Sequence, residues 1–241
     1  MIWLSTSRTL QLCSGEIDVW RADLECQPSV LEKYRASLSV DEQERADRFY
    51  FREDRNHYIA SRGILRLLLG WYTNRRANDL RFDYGAQGKP SLGNHVNSAV
   101  TFNLSHSQGL AVYAFALRRR LGVDVERIRP NIAIEEIAER YFSPNEMSEL
   151  RAVPPGDRRE AFFLCWTRKE AYIKARGEGL RIALDSFDVS LTPGTPAKFR
   201  GGVNEGWNLA AFPAAPGCPA ALVFDGERAE IRYYHFSLND L

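Results

Sequence analysis

The 241-residue sequence predicts an α+β fold made of two pseudo-symmetric α/β lobes, with a functional site at their interface. Three observations carry that expectation. The order strand, helices, strands occurs twice along the chain, although no sequence repeat relates the halves. A polar turn, Arg118-Arg119-Arg120, separates the two runs and divides residues 1–118, an N-terminal lobe, from residues 119–241, a C-terminal lobe. A composition of 44% hydrophobic and 26% charged residues suits an ordinary globular protein with a substantial core.

Each element has a local reason. Glu16 to Leu24 alternates Ile17, Val19 and Ala22 with polar neighbours and reads as a strand. Ser39 offers an N-cap ahead of Asp41, Glu42 and Glu44, and the helix it opens is expected to reach about Phe51. After a polar break around Asp54, the Ile- and Leu-rich stretch Tyr58 to Tyr72 reads as a longer helix. Leu80 to Tyr84 suggests a strand, and Gly85 to Gly93, with three glycines and Pro90, a loop. Thr101 to Leu104 alternates and is expected to stop at Ser105-His106-Ser107; Leu110 to Leu117 and Leu121 to Glu126 follow as strands. Ile132 to Tyr141 has helical periodicity. Ser143-Pro144-Asn145-Glu146 is a helix start, with a cap, a first-position proline and a third-position glutamate. Val153 to Asp157 is a loop, and Arg158 to Arg176 a helix ended by Gly177. Short strands are expected at Phe187 to Leu191, Trp207 to Phe212, Ala220 to Phe224 and Ile231 to Phe236.

The formal charge of +1 argues against nucleic-acid coating or a polybasic membrane surface, so any positive field is local. Cys13, Cys26, Cys165 and Cys218 form no C-x-x-C pair, which points to reduced thiols in a cytoplasmic protein. Met1 to Arg8 lacks the apolar core of a signal peptide, and the longest apolar run, Leu110 to Leu117, is too short for a bilayer.

The chemistry concentrates in two segments. In a strand, alternate residues share a face, so Asp124 and Glu126 of Gly122-Val123-Asp124-Val125-Glu126 project side by side. In a helix, residues four apart do the same, which pairs Glu170 with Lys174. If strand and helix pack, three carboxylates meet beside a lysine, and like charges so placed call for a hard cation such as Mg2+. Taken singly, each pair has a plainer reading, as the wet face of a half-buried strand or a surface helix pair. Phe162, Trp166, Lys169 and Ile173 share one helix face, with Glu170 on its flank and Lys169 expected to reach out to solvent. Arg45, Arg48, Arg52 and Arg55 would make one helical stripe, and Arg62 and Arg66 are four apart: a solvated face or a phosphate-binding rim. Lys89 in Gly88-Lys89-Pro90, and Ser105 with His106, can reach phosphate oxygens. No P-loop, dinucleotide fingerprint, H-E-x-x-H or G-x-S-x-G occurs.

Together, Arg48-Phe49-Tyr50, Gly88-Lys89-Pro90, Phe102 to Ser107, Gly122 to Glu126, Phe142-Ser143 with Glu146, Trp166 to Lys174 and Gly177 to Leu180 resemble the 4'-phosphopantetheinyl transferase superfamily in its two-lobed, surfactin-synthetase-activating type. The match runs in order over nearly the whole chain, and Glu44 to Phe49 looks most like cyanobacterial members. The resemblance implies coenzyme A in the cleft between lobes, with Mg2+ or Mn2+ held by Asp124, Glu126 and Glu170. It gives Lys89, Ser105 and His106 to the nucleotide and its phosphates, Lys174 to the pyrophosphate, and Arg45 and Arg62 to the 3'-phosphate. Some relatives carry lysine near Glu42. The implied reaction moves 4'-phosphopantetheine from coenzyme A to a serine of an apo carrier protein, leaving adenosine 3',5'-bisphosphate. Glu170 and Glu146 are both candidates for the base that takes the serine proton. Acyl, peptidyl and polyketide carriers stand unranked, and Ile128 to Ile134 and Leu180 to Ile182 are candidate docking rims. A chain that builds its own cleft is expected to act as a monomer, without nucleic acid or membrane. Two competing readings are a non-catalytic coenzyme A- or carrier-binding protein and a metal-dependent phosphodiesterase, which would consume coenzyme A without a carrier.

Overall fold

The structure is a computed structural model that describes residues 2–4, 11–93, 96, 98–203 and 205–237. In chain order the elements are β1 (Glu16–Asp23), α1 (Pro28–Ser37), α2 (Val40–Asp47), α3 (Arg52–Thr73), β2 (Phe82–Tyr84), β3 (Pro90–Leu92), β4 (Val100–Ser107), β5 (Leu110–Leu117) and β6 (Leu121–Val125). There follow α4 (Ile134–Tyr141), α5 (Pro144–Ala152), α6 (Arg158–Arg176), β7 (Asp188–Val189), β8 (Phe199–Gly201), β9 (Trp207–Ala215), β10 (Cys218–Asp225) and β11 (Glu230–Phe236). This is a mixed α+β fold.

Alternation along the strands builds it in layers. On β5, Leu110, Val112, Ala114 and Ala116 enter one apolar cluster, while Ala111, Tyr113 and Phe115 enter another on the opposite face. On β10, Ala220, Leu222 and Phe224 join the first of these clusters, while Ala221 and Val223 face a third. A four-stranded sheet, β11-β1-β5-β4, and a three-stranded sheet, β6-β10-β9, therefore share a central core. The outer face of the first sheet is covered by α1 and α3 through Tyr34, Ile64, Leu65 and Leu68, and that of the second by α4, α5 and α6 through Ala138, Leu150 and Phe163. After β10 the chain returns to the first sheet, where β11 lies parallel to β1 with Val19 opposite Tyr233.

Several elements differ from the sequence expectation. Pro28 at a helix start, with Val30, Leu31 and Tyr34 at helical spacing, opens α1, which was not anticipated. The helix capped by Ser39 stops at Asp47, where Phe49 turns onto Tyr58 with ring centroids 5.3 Å apart. Glu53 and Asp54, read as a break, are the acidic first turn of α3, a favourable place beside the positive helix end. Arg45 therefore lies in α2, Arg48 caps its end, and Arg52 and Arg55 belong to α3, so the single arginine stripe does not form. The glycine-rich loop contains β3, paired with β2 in a hairpin, and β4 runs on through Ser107 instead of ending at Leu104.

Lys169 does not reach solvent as expected. It is fully buried, because the chain from Leu184 to Phe187 covers that face of α6, and its Nζ donates to the carbonyls of Leu184 (2.7 Å) and Phe187 (2.6 Å).

Candidate active site

The site is assembled where the outermost strands of the two sheets, β4 and β6, come together. Asn103, Ser105 and Ser107 stand at period two on one face of β4 and act as a side-chain ladder for β6. The Val123 N–H donates to Asn103 Oδ1 (2.8 Å), Ser105 Oγ donates to Asp124 Oδ1 (2.8 Å), and Ser107 Oγ donates to Glu126 Oε2 (2.8 Å). The Arg127 N–H in turn donates to Ser107 Oγ (3.2 Å). Asn103 and Ser107 were not singled out from the sequence; their equal spacing with Ser105 was the available signal.

The other wall is α6. Its backbone lies against Gly122, where an added Cβ would stand 2.7 Å from the carbonyl carbon of Lys174. That approach brings Lys174 Nζ to 2.7 Å from Asp124 Oδ1 and 2.8 Å from Ser105 Oγ. The predicted meeting of the acidic strand with the Glu170–Lys174 face of the helix is thus realised in the geometry.

Burial pushes the carboxyl pKa of Glu126 up, and the Asp124 charge adds to this, against the opposing Ser107 hydrogen bond. Burial likewise raises Glu170, with repulsion from Asp124 and Glu126 reinforcing it and Lys174 opposing it. The three carboxylates share one electrostatic neighbourhood. Asp124 Oδ2 is buried and has no hydrogen-bond partner among the described residues, as a ligand oxygen reserved for a cation would. An all-oxygen donor set with such an orphan fits a hard divalent ion. The oxygens are neighbours without being gathered to ligand spacing: among the described residues, only Glu25, Glu53 and His57 bring three donor atoms within 4.8 Å of one another. That group is a different one, joining Glu25, just after β1, to Glu53 and His57 in the first turns of α3, and His57 Nε2 already bonds Glu25 Oε1 at 2.8 Å.

Two cavities flank this centre and share Lys174 as a wall. One, of about 310 Å³, is lined by Arg45, Arg62, Tyr84, Ser105 and His106. The other, of about 280 Å³, is lined by Gln87, Lys89, Leu104, Glu170 and Ile173. A larger cleft of about 670 Å³, against Leu164 and Phe212, includes none of the expected catalytic, metal or coenzyme residues, and of the expected docking rims only Ile128.

Arg62 reaches its cavity as half of a buried cluster. Its Nε donates to Glu42 Oε1 (2.6 Å) and its Nη2 to the Tyr84 hydroxyl (3.0 Å), while Arg66 Nε donates to Glu42 Oε2 (2.6 Å). Burial opposes ionisation of Glu42, but Arg62 and Arg66 outweigh it and hold the carboxyl below its ordinary value. Two arginines four apart on one buried helix face demand an anion, and that was the signal for Glu42. Arg45 lies over the Tyr58 ring, 5.7 Å from its centroid. His106 points from the opposite face of β4 to Ser105; desolvation, then the charges of Lys174 and His57, lower its pKa. Lys89 donates to two main-chain carbonyls, Leu121 (2.8 Å) and Lys174 (2.6 Å), and desolvation lowers its pKa to about 8.

Glu146 is the predicted site residue that the structure does not bring to this centre. It is 1% exposed, and its Oε2 accepts from the Ser143 N–H (2.9 Å) in a capping box and pairs with Lys169 Nζ (2.8 Å). Its Oε1 accepts from the Val189 N–H (2.8 Å). Both oxygens are committed to joining α5, α6 and β7. Glu146→Gln is therefore expected to cost about 3 kcal/mol of stability by leaving Lys169 buried without its counter-charge. Catalysis per folded molecule should persist. Chemical denaturation with turnover measured well below the melting temperature checks this; an unchanged melt with lost turnover would return Glu146 to the chemistry.

Residues 120–216 match the family model described as the 4'-phosphopantetheinyl transferase superfamily, and residues 25–117 the one described as 4'-phosphopantetheinyl transferase, N-terminal. The 4'-phosphopantetheinyl transferase HetI of Nostoc sp. is 40% identical over 235 residues, covering 97% of this chain and 98% of that protein. A putative 4'-phosphopantetheinyl transferase of Synechocystis sp. is 32% identical, over 61% of this chain and 60% of its own. The 4'-phosphopantetheinyl transferase Sfp of Bacillus subtilis is 32% identical, over 66% of this chain and 69% of its own.

Proposed function

The chain belongs to the 4'-phosphopantetheinyl transferase superfamily, and on that premise we propose that it moves the 4'-phosphopantetheine group of coenzyme A to a serine of an apo carrier protein, with Mg2+ held by Asp124, Glu126 and Glu170. One observation carries the assignment of parts: Lys174 lies on Asp124 and walls both cavities. Coenzyme A has two unlike ends joined by a pyrophosphate. The cavity with Arg45, Arg62 and His106 suits the phosphorylated nucleotide, and the one with Gln87 and Ile173 suits the pantetheine arm. The scissile bond then falls at Lys174, between them.

In this reading the serine oxygen attacks the pantetheine-side phosphorus. The bond from that phosphorus to the bridging oxygen breaks, and adenosine 3',5'-bisphosphate leaves. Glu170 takes the serine proton, directly or through water. Lys174 and the Ser105 hydroxyl hold Asp124 in place, and the lysine charge offsets that of the pyrophosphate. Bound Mg2+ would stabilise charge developing on the leaving group. Glu170→Gln is expected to slow transfer by about a hundredfold to ten-thousandfold, and a variant loading carrier at the wild-type rate removes Glu170 as the base.

The raised carboxyls give a second, activity-free test. The folded protein holds the protons of Glu126 and Glu170 more tightly than the unfolded chain, whose ordinary value is 4.5. The stability they contribute is full below 4.5 and is lost as pH rises through their raised folded values. Above those raised values the cluster is therefore a repulsion that a divalent cation relieves. Mg2+ at a hundred times its dissociation constant should stabilise by about 2.7 kcal/mol. Glu170→Gln without Mg2+ should melt above the wild type and respond less to the ion. Melting curves against pH and MgCl2 check this; an undiminished response in the variant excludes Glu170 as a ligand.

Incubation with coenzyme A, Mg2+ and an apo carrier, followed by mass spectrometry, tests the whole reading. The pantetheine mass increment on the carrier supports it. Binding without transfer would leave a non-catalytic protein, and loss of coenzyme A without carrier a phosphodiesterase. We take the working enzyme to be a cytoplasmic monomer whose lobes, 1–118 and 119–241, the second lending β11 to the sheet of the first, supply one cleft for acyl, peptidyl or polyketide carriers. Among the described residues, no helix is long and apolar enough to cross a membrane.

A further inference from the structure

The geometry points to Lys89 as a positioning residue, not a phosphate ligand: it ties the β2–β3 hairpin to the end of α6 and the start of β6, and so sets Lys174 against Asp124. This rests on the transferase reading for its kinetic consequence and on the hydrogen bonds for its structural one.

The last carbonyls of a helix have no intrahelical donor. In α6 the Gly177 N–H closes on the carbonyl of Ile173, which leaves the next carbonyl, that of Lys174, in need of a partner. Lys89 Nζ supplies it at 2.6 Å and reaches the carbonyl of Leu121 at 2.8 Å. One bond thus holds the main chain of the residue whose ammonium sits on Asp124. The other holds the first residue of the strand that carries Asp124. A cation at the negative end of α6 is also favourably placed. Two of the three ammonium protons are spent on these carbonyls.

The hairpin is built to hold the tether. The Gly85 N–H donates to the carbonyl of Lys89 (3.0 Å), the Gly88 N–H to that of Gly85 (2.8 Å), and Gly88 takes a left-handed φ of 75°. The stem of Lys89 runs past the αL cap of the helix, its Cδ 3.6 Å from where a Gly177 Cβ would lie. Gly88, Lys89 and Pro90 in turn wall the cavity that contains Glu170. Releasing the lysine would loosen this wall and the register of α6 on β6 together.

The test uses the full chain with Lys89→Met and Lys89→Arg. Carrier loading should show kcat down at least tenfold in Lys89→Met, with KM and calorimetric Kd for coenzyme A within about twofold of wild type. Lys89→Arg, whose guanidinium can donate to both carbonyls, should restore most of kcat. A tenfold rise in KM and Kd with kcat intact would make Lys89 a phosphate ligand and overturn the proposal. So would a lowered melting temperature with unchanged kcat at low temperature. Hydrogen exchange reads the tether without activity: in Lys89→Met, protection should fall both in residues 85–92 and in the last turn of α6. Unchanged exchange overturns the proposal even if no carrier is loaded, whereas an inactive wild type defeats only the transferase reading. Should Lys89→Met not fold, Lys89→Gln serves in the same measurements.

Discussion

An Asp124→Asn protein is expected to fold normally and to lose transfer by about a thousandfold. Asp124 is 3% exposed, and its Oδ1 accepts from Lys174 and Ser105 while Oδ2 has no partner among the described residues. Asparagine keeps the shape and removes the charge. Lys174 then loses its counter-ion at the point where both cavities meet, and a cation loses the one fully buried carboxylate near it. The structural cost is small, because Lys174 is partly solvated and the pair is screened, so about 1 kcal/mol is expected. The ladder bond from the Val123 N–H to Asn103, which joins the strands at the same place, is untouched. Thermal melting and mass-spectrometric loading separate the two effects. Wild-type loading by this variant would show that the acidic cluster is not the reaction centre.

What the sequence revealed of this site was facial, not pairwise. Alternation put Asp124 and Glu126 together, and the four-residue spacing joined Glu170 and Lys174, because both periods are properties of single elements. Arg158 to Arg176 was legible to the residue, since Gly177 takes the left-handed cap that ends it. Partners across elements were not legible. Lys169 and Glu146 each looked free from their own helix, yet they close on one another at 2.8 Å between α5 and α6. The capping spacing Ser143-x-x-Glu146 was the local hint that this glutamate was already engaged. Arg62 and Arg66 read equally as a solvated face or a phosphate rim until Glu42 arrives from α2. The parallel pairing of β11 with β1 joins the two ends of the described chain, and neither strand carries a local signal for it.

The approach of α6 to β6 depends on a residue with no side chain. Gly122→Ala is expected to be the most damaging single-methyl change near the site. The new Cβ would fall inside contact distance of the Ala171 carbonyl oxygen and the Ala175 nitrogen, as well as the Lys174 carbonyl carbon. All three are main-chain atoms of α6, so no rotamer change relieves them; the helix itself must move. Gly122 has no left-handed φ, so the cost is steric and not conformational. Overpacking against side chains costs about 1–3 kcal/mol, and against a rigid helix the upper end or beyond is expected. At 2–4 °C per kcal/mol for a chain of this size, the melting point should fall by roughly 6–12 °C. Activity should fall further than stability, because the shift carries Glu170 and Lys174 away from Asp124 together. Gly156→Ala is the matched control, since an added Cβ there meets nothing within 4 Å. If Gly122→Ala melts with the control and loads carrier as fast, α6 does not rest on β6 at this spacing, and the alignment of lysine with aspartate must be held by something else.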